Sequence, residues 1–129
     1  MNLLNGIAKR RFLVAAAAFA TGVGAVGVMA PQAQATSAYG CGWPRVCFYK
    51  TQASWNADSP TASYQDMGYW QTLGTSSKGS YGVYNSRNDD CALLEFSDGE
   101  QYRLKPNKFF QTSFIGTVTK IKIMDSPTC

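Results

Sequence analysis

The residues of this chain best able to do chemistry are four cysteines: Cys41, Cys47, Cys91 and Cys129. A thiol serves as a nucleophile, a metal ligand or half of a disulfide. Nucleophilic catalysis at Cys or Ser usually needs a histidine base, and the chain contains no histidine. That absence, with cysteine spacings unlike those of zinc motifs, argues against a zinc site. The acids are the remaining candidates. Asp89-Asp90 and the pair Asp98 and Glu100 fall in turn-like stretches, where carboxylates are normally solvated. Nothing in their spacing makes two of them converge across a groove, as glycoside hydrolysis requires. The expectation is a protein that binds rather than catalyses, with no metal and no cofactor.

Disulfides require an oxidising compartment, and the N-terminus supplies an export signal. Lys9, Arg10 and Arg11 form a basic start, residues 12–29 are apolar and rich in Ala and Gly, and Ala33-Gln34-Ala35 is a small-x-small cleavage site. An uncleaved anchor would have a long enough apolar run. Its three glycines, the lack of Leu after Leu13 and the cleavage site favour a signal peptide over residues 1–35. The remainder, 36–129, is read as a single secreted β domain starting at Thr36, with no membrane attachment after cleavage. Lys9-Arg10-Arg11-Phe12-Leu13 also loosely matches a twin-arginine signal, so the export route stays open.

Three of the twelve Lys and Arg lie in that signal, which leaves nine against eight Asp and Glu. Without a basic patch, nucleic acid is not an expected partner. Fifteen Phe, Tyr and Trp remain after residue 35, enough to fill a small core or to furnish an adhesive surface. Four cysteines allow three pairings. The favoured one joins Cys41 to Cys47 as a local loop, turned by Pro44, and Cys91 to Cys129, tying the C-terminus to a central strand.

The elements that must carry these residues are short strands. Residues 46–50, 81–85, 91–96, 101–104 and 117–124 have β-branched or aromatic patterning bounded by turn signals. The hairpin around Ser97-Asp98-Gly99-Glu100 is the strongest, because Asp-Gly favours a tight turn. In the last strand, Thr119, Ile121 and Ile123 would face the core and Lys120 and Lys122 the solvent. Residues 36–40 read as a polar tail, 51–63 and 74–79 as loops, and 86–90 as a polar turn. Residues 63–72 fit either a strand bent at Gly68 or one helical turn. Residues 109–114 fit a loop or a short strand. The 46–49 and 81–85 runs open and close one half, and 91–96 and 119–123 open and close the other. Two four-stranded Greek keys would satisfy this, giving an all-β sandwich.

Three candidate binding surfaces follow. In the bridged loop, Trp43 and Arg45 are residues common at interface hot spots, on a pre-organised segment. The plainer reading, with Trp43 covering the adjacent core and Arg45 merely solvated, is favoured over a binding role. Trp55 lies in a long irregular stretch and is equally suited to a partner or to anchoring the core. Met67, Tyr69 and Trp70 could form a carbohydrate or partner platform, but core packing is favoured.

Cys41-x5-Cys47-Phe48-Tyr49 after an export signal, Val83-Tyr84-Asn85, a strand from Cys91 to Phe96, Leu104-Lys105-Pro106-Asn107 and the closing 118–123 run together resemble the βγ-crystallin-like peptidase inhibitors of streptomycetes, over residues 41–124. The resemblance implies a βγ-crystallin-like sandwich of two Greek keys with a local Cys41–Cys47 disulfide. It implies stoichiometric inhibition of an extracellular metalloprotease or serine protease. The same fold carries secreted antifungal and killer-toxin-like proteins, which keeps binding to a cell-wall polysaccharide open. Two departures bear on this. No glycine follows Tyr49 until Gly68, and 77–82 and 115–120 lack the acids that calcium-binding keys supply, so no calcium site of that type is expected. A fainter similarity is to small two-disulfide α-amylase inhibitors, whose exposed Trp-Arg pair is replaced here by Trp55-Asn56.

Overall fold

A computed structural model describes residues 37–129, which belong to one unit spanning Ala35–Cys129. The signal peptide and the cleavage site before Thr36 lie outside the described residues. The strands are β1 (Ser37–Ala38), β2 (Cys41–Gly42), β3 (Val46–Tyr49), β4 (Ala62–Tyr64), β5 (Gln71–Thr72), β6 (Gly82–Asn85), β7 (Ala92–Phe96), β8 (Gln101–Leu104), β9 (Phe109–Phe110) and β10 (Val118–Ile123). A short helix α1 (Gln52–Asn56) and a 3₁₀ turn (Thr112–Phe114) complete the list. Every pairing between these strands is antiparallel. Sheet I has the order β4-β3-β6-β9 and sheet II the order β5-β10-β7-β8. β1 and β2 form a separate ribbon.

The first and last strands of each half pair at the centre of a sheet: β3 with β6, and β7 with β10. The third strand of each half, β5 or β9, joins the other half's sheet. Neither half therefore completes a sheet alone. Val46, Phe48 and Val83 from sheet I meet Leu94, Phe96, Ile121 and Ile123 from sheet II in one core. Tyr102 of β8 stacks on Phe110 of β9 at 3.8 Å, closing the sheets where the chain crosses between them.

All four residues of β3 and of β6 are buried, because sheet I is covered on both sides. Its outer face carries Cys47, Tyr49 and Tyr84 under the ribbon and α1. Gly82 makes room there, since a Cβ at that position would sit 2.4 Å from the Phe109 ring. β7 alternates, with Ala92, Leu94 and Phe96 inward. The Asp-Gly hairpin forms as its sequence implies, with Gly99 at φ 92° and its N–H donating to Phe96 O at 2.9 Å.

Four expectations are corrected. The polar tail is instead the strand β1, paired with β2. The 51–63 loop contains α1, started by a capping box: Thr51 Oγ1 accepts from Ser54 N at 3.1 Å and Ser54 Oγ from Thr51 N at 3.2 Å. Residues 63–72 split between β4 in sheet I and β5 in sheet II. In β10 a bulge between Val118 and Lys120 puts Val118 in the core and leaves Thr119 half-buried, its Oγ1 donating to Glu95 O at 3.2 Å. Lys120 then faces Glu95 directly across the ladder at 2.8 Å. Hydrogen bonds from Lys120 and then Gln101 lower the Glu95 carboxyl below its ordinary range.

Candidate functional site

The bridged loop is held at three levels. Cys41 bonds Cys47, and Arg45 N donates to Gly42 O at 3.0 Å, closing a turn through the cis peptide Trp43-Pro44. From beneath, Ser86 donates to Arg45 O through its N at 3.0 Å and its Oγ at 2.6 Å. Arg87 Nη1 donates to Pro44 O at 2.7 Å. The Pro44 and Arg45 carbonyls therefore face inward, while the Trp43 and Arg45 side chains are exposed. Trp43 is 47% exposed and Arg45 is exposed, whereas Val46 is fully buried at the start of β3.

The support comes from residues 86–90, expected as a solvated turn. Instead Arg87 and Asp90 are buried as an ion pair, Nη2 to Oδ2 at 2.6 Å and Nε to Oδ2 at 2.7 Å. Asn85 fixes the backbone around them. Its Oδ1 accepts from Arg87 N at 3.0 Å, and its Nδ2 donates to Asp90 O at 2.9 Å and Leu104 O at 3.2 Å. Asp90 is thus a structural counter-ion, not a solvated acid; Asp89, Asp98 and Glu100 are exposed. The sequence hint was the Arg87–Asp90 spacing of three. Nothing local shows that the bridged loop roofs this segment.

The third candidate surface is also corrected. Met67 is 40% and Tyr69 54% exposed, and Trp70 is half-buried, so these residues do not fill the core. They lie on the crossing from sheet I to sheet II. There Gly68 N donates to Ile123 O at 2.9 Å, and Ile123 occupies the interior. Tyr69 Oη donates to Asp66 Oδ2 at 3.2 Å. Arg87 Nη2 reaches Met67 Sδ at 3.1 Å, so one guanidinium braces both Pro44 and Met67. Trp43 and Met67 consequently belong to one surface region, a proximity that sequence separation hides.

Trp55 is placed differently. α1 lays its ring on Phe109 at 3.8 Å, with Tyr49 edge-on at 4.9 Å and Tyr39 tilted at 4.7 Å. It anchors the aromatic cluster on the outer face of sheet I and is half-buried. Tyr49 Oη donates to Tyr39 O at 2.7 Å. Burial, with Asp58 adding to it, pushes the Tyr49 phenol far above its ordinary range, and burial does the same to Tyr84 more mildly. In the unfolded chain these phenols ionise near pH ~10. Above that pH the unfolded state sheds protons that the native state keeps, so stability falls. Urea midpoints are expected to be flat with respect to these groups through neutral pH and to decline above about pH 10. Tyr49→Phe should blunt the decline while costing about 1 kcal/mol for the lost hydrogen bond. An unchanged alkaline decline in that variant would reject the assignment to Tyr49.

Comparison of the chain with protein-family models, with curated proteins and with solved structures finds no match. What the molecule does must be inferred from its own surface.

Proposed function

We propose that this chain is an exported, βγ-crystallin-like sandwich of two Greek keys that binds an extracellular protease one to one and blocks it. The architecture is supported by the reciprocal exchange of β5 and β9 between two sheets of corresponding strand order. Export is supported by the signal-like N-terminus and by two disulfides, with no free cysteine among the described residues. No helix among the described residues is long and apolar enough to cross a membrane.

The observation that carries the function is the braced tip: an exposed Trp43 beside an exposed Arg45, on a turn pinned by a disulfide, Ser86 and Arg87. A rigid tip loses little entropy on docking, and Trp and Arg are frequent hot-spot residues. The inward carbonyls of Pro44 and Arg45 favour a mode in which side chains fill the cleft, over one in which the loop lies in it as a substrate would.

The test is residual activity of a thermolysin-like metalloprotease and of a subtilisin, each titrated with protein purified from the medium of a host expressing the full chain. A break near one-to-one is expected with one of them. Trp43→Ala should weaken inhibition about 30-fold, the scale of a hot-spot loss of ~2 kcal/mol, with little change in melting temperature. The purified protein should begin at Thr36 by mass spectrometry; an intact N-terminus would reject cleavage.

The exposed Met67 and Tyr69 favour a second reading, adhesion to a cell-wall polysaccharide. Pull-down on insoluble peptidoglycan or chitin, lost in Tyr69→Ala, would support it over inhibition.

A further inference from the structure

Beside the tip, between the bridged loop and the edge of sheet I, lies an open groove of about 290 Å³. Arg45, Cys47, Pro60, Thr61 and Ser63 are among the residues lining it, and none of its lining residues is acidic. The Thr61 hydroxyl is already engaged, accepting from Lys50 N at 3.0 Å and donating to Ser76 O at 2.7 Å. Arg45 and Ser63 differ: both are exposed, and among the described residues no ion pair or side-chain hydrogen bond involves either. The groove thus joins an unneutralised guanidinium to a free hydroxyl. A carboxylate complements both, taking a bidentate bond from Arg45 and a single one from Ser63.

The neighbouring β4, at the edge of sheet I, pairs on one side with β3 and has no strand partner on its other side among the described residues. An extended polypeptide is the ligand that uses both features, since it adds backbone hydrogen bonds along an open edge while one side chain reaches the pocket. We propose that the groove is a binding site for an acidic side chain on an extended segment of a protein partner, seated beside β4 with its carboxylate on Arg45. This deepens the proposed inhibitor function and rests on it for the partner's identity, as the same tip carries Trp43. The partner recognised would therefore be one with an acidic residue next to an apolar surface that covers the Trp43 ring.

The test uses the protein purified from the medium of a host expressing the full chain. Three probes are compared by isothermal titration and Trp fluorescence: an N-acetylated, C-amidated pentapeptide of threonines with one central glutamate, its glutamine counterpart, and acetate alone. The glutamate peptide is expected to bind about ten-fold or more tightly than the glutamine one, the scale of a charge-assisted pair. Arg45→Gln should erase the difference and Arg45→Lys should restore part of it. Arg45 is exposed, so equal melting temperatures check that these variants fold.

Equal binding of the two peptides, no binding of either, or an unchanged preference in Arg45→Gln would overturn the proposal. Acetate matching the glutamate peptide would overturn the polypeptide part and leave a site for free carboxylates. The protease titration, repeated with Arg45→Gln, separates the two readings. Inhibition that is insensitive to Arg45→Gln sinks the groove and spares the inhibitor. Peptide binding without inhibition of any protease does the reverse.

Discussion

Replacing Cys91 and Cys129 together by alanine is expected to lower the melting temperature by about 20 °C. Alanine is chosen because Cys91 is fully buried, where a serine hydroxyl would add a cost of its own. The disulfide closes 38 residues of chain. In the loop-entropy model a closure of that length removes about 4 kcal/mol of unfolded-state freedom. For a domain of this size each kcal/mol is worth roughly 4–8 °C. The six-residue Cys41–Cys47 loop is worth only about 2 kcal/mol by the same relation, so the corresponding double variant should melt higher. The order of the two melting temperatures, read by circular dichroism, is the decisive quantity. A Cys91/Cys129 variant as stable as the wild type would mean that the tail contacts, such as Cys91 N to Ser126 O at 2.6 Å, already hold the C-terminus.

Arg87→Met is expected to destabilise the domain by about 3–5 kcal/mol, because it leaves the Asp90 carboxylate buried without its counter-ion. Combining it with Asp90→Leu should return much of that loss, since the pair is then replaced by apolar groups of similar volume. Recovery should not extend to the tip. Pro44 O and Met67 Sδ lose their donor in both variants. The double variant is therefore expected to unfold at nearly the wild-type denaturant concentration, yet to show faster quenching of Trp43 and weaker target binding. If the double variant binds as the wild type does, Arg87 is a stabilising residue only, with no part in positioning the surface. If it is as unstable as Arg87→Met alone, the unsatisfied Pro44 carbonyl dominates over the buried charge.

The strands that sequence made legible are those whose signal is local. β7 and β8 are joined by Asp98-Gly99, whose turn geometry needs no remote partner. β3, β6 and β10 carry enough β-branched and aromatic residues to be strands wherever they pack. The pairing of Cys41 with Cys47 was similarly near at hand, six residues apart. Trp43 and Arg45 were legible as a candidate surface because a small bridged loop has little interior in which to hide them.

What sequence by itself determined is a basic and then apolar N-terminus, a histidine-free and nearly neutral remainder, two cysteine pairs and a set of short strands. Tertiary structure alone decided which segments cover which. The roofing of 86–90 by the bridged loop turns Asp90 from a turn acid into a buried counter-ion, and joins Pro44 to Met67 through Arg87. The pairing of β10 in sheet II places Ile123 inside while the crossing between sheets leaves Met67 and Tyr69 outside, although all three are large and apolar enough for a core. The bulge before Lys120 gives Val118, rather than Thr119, the interior position. In each case the side-chain type permits burial or exposure. The choice falls to a distant stretch of chain, which either removes water from that position or does not.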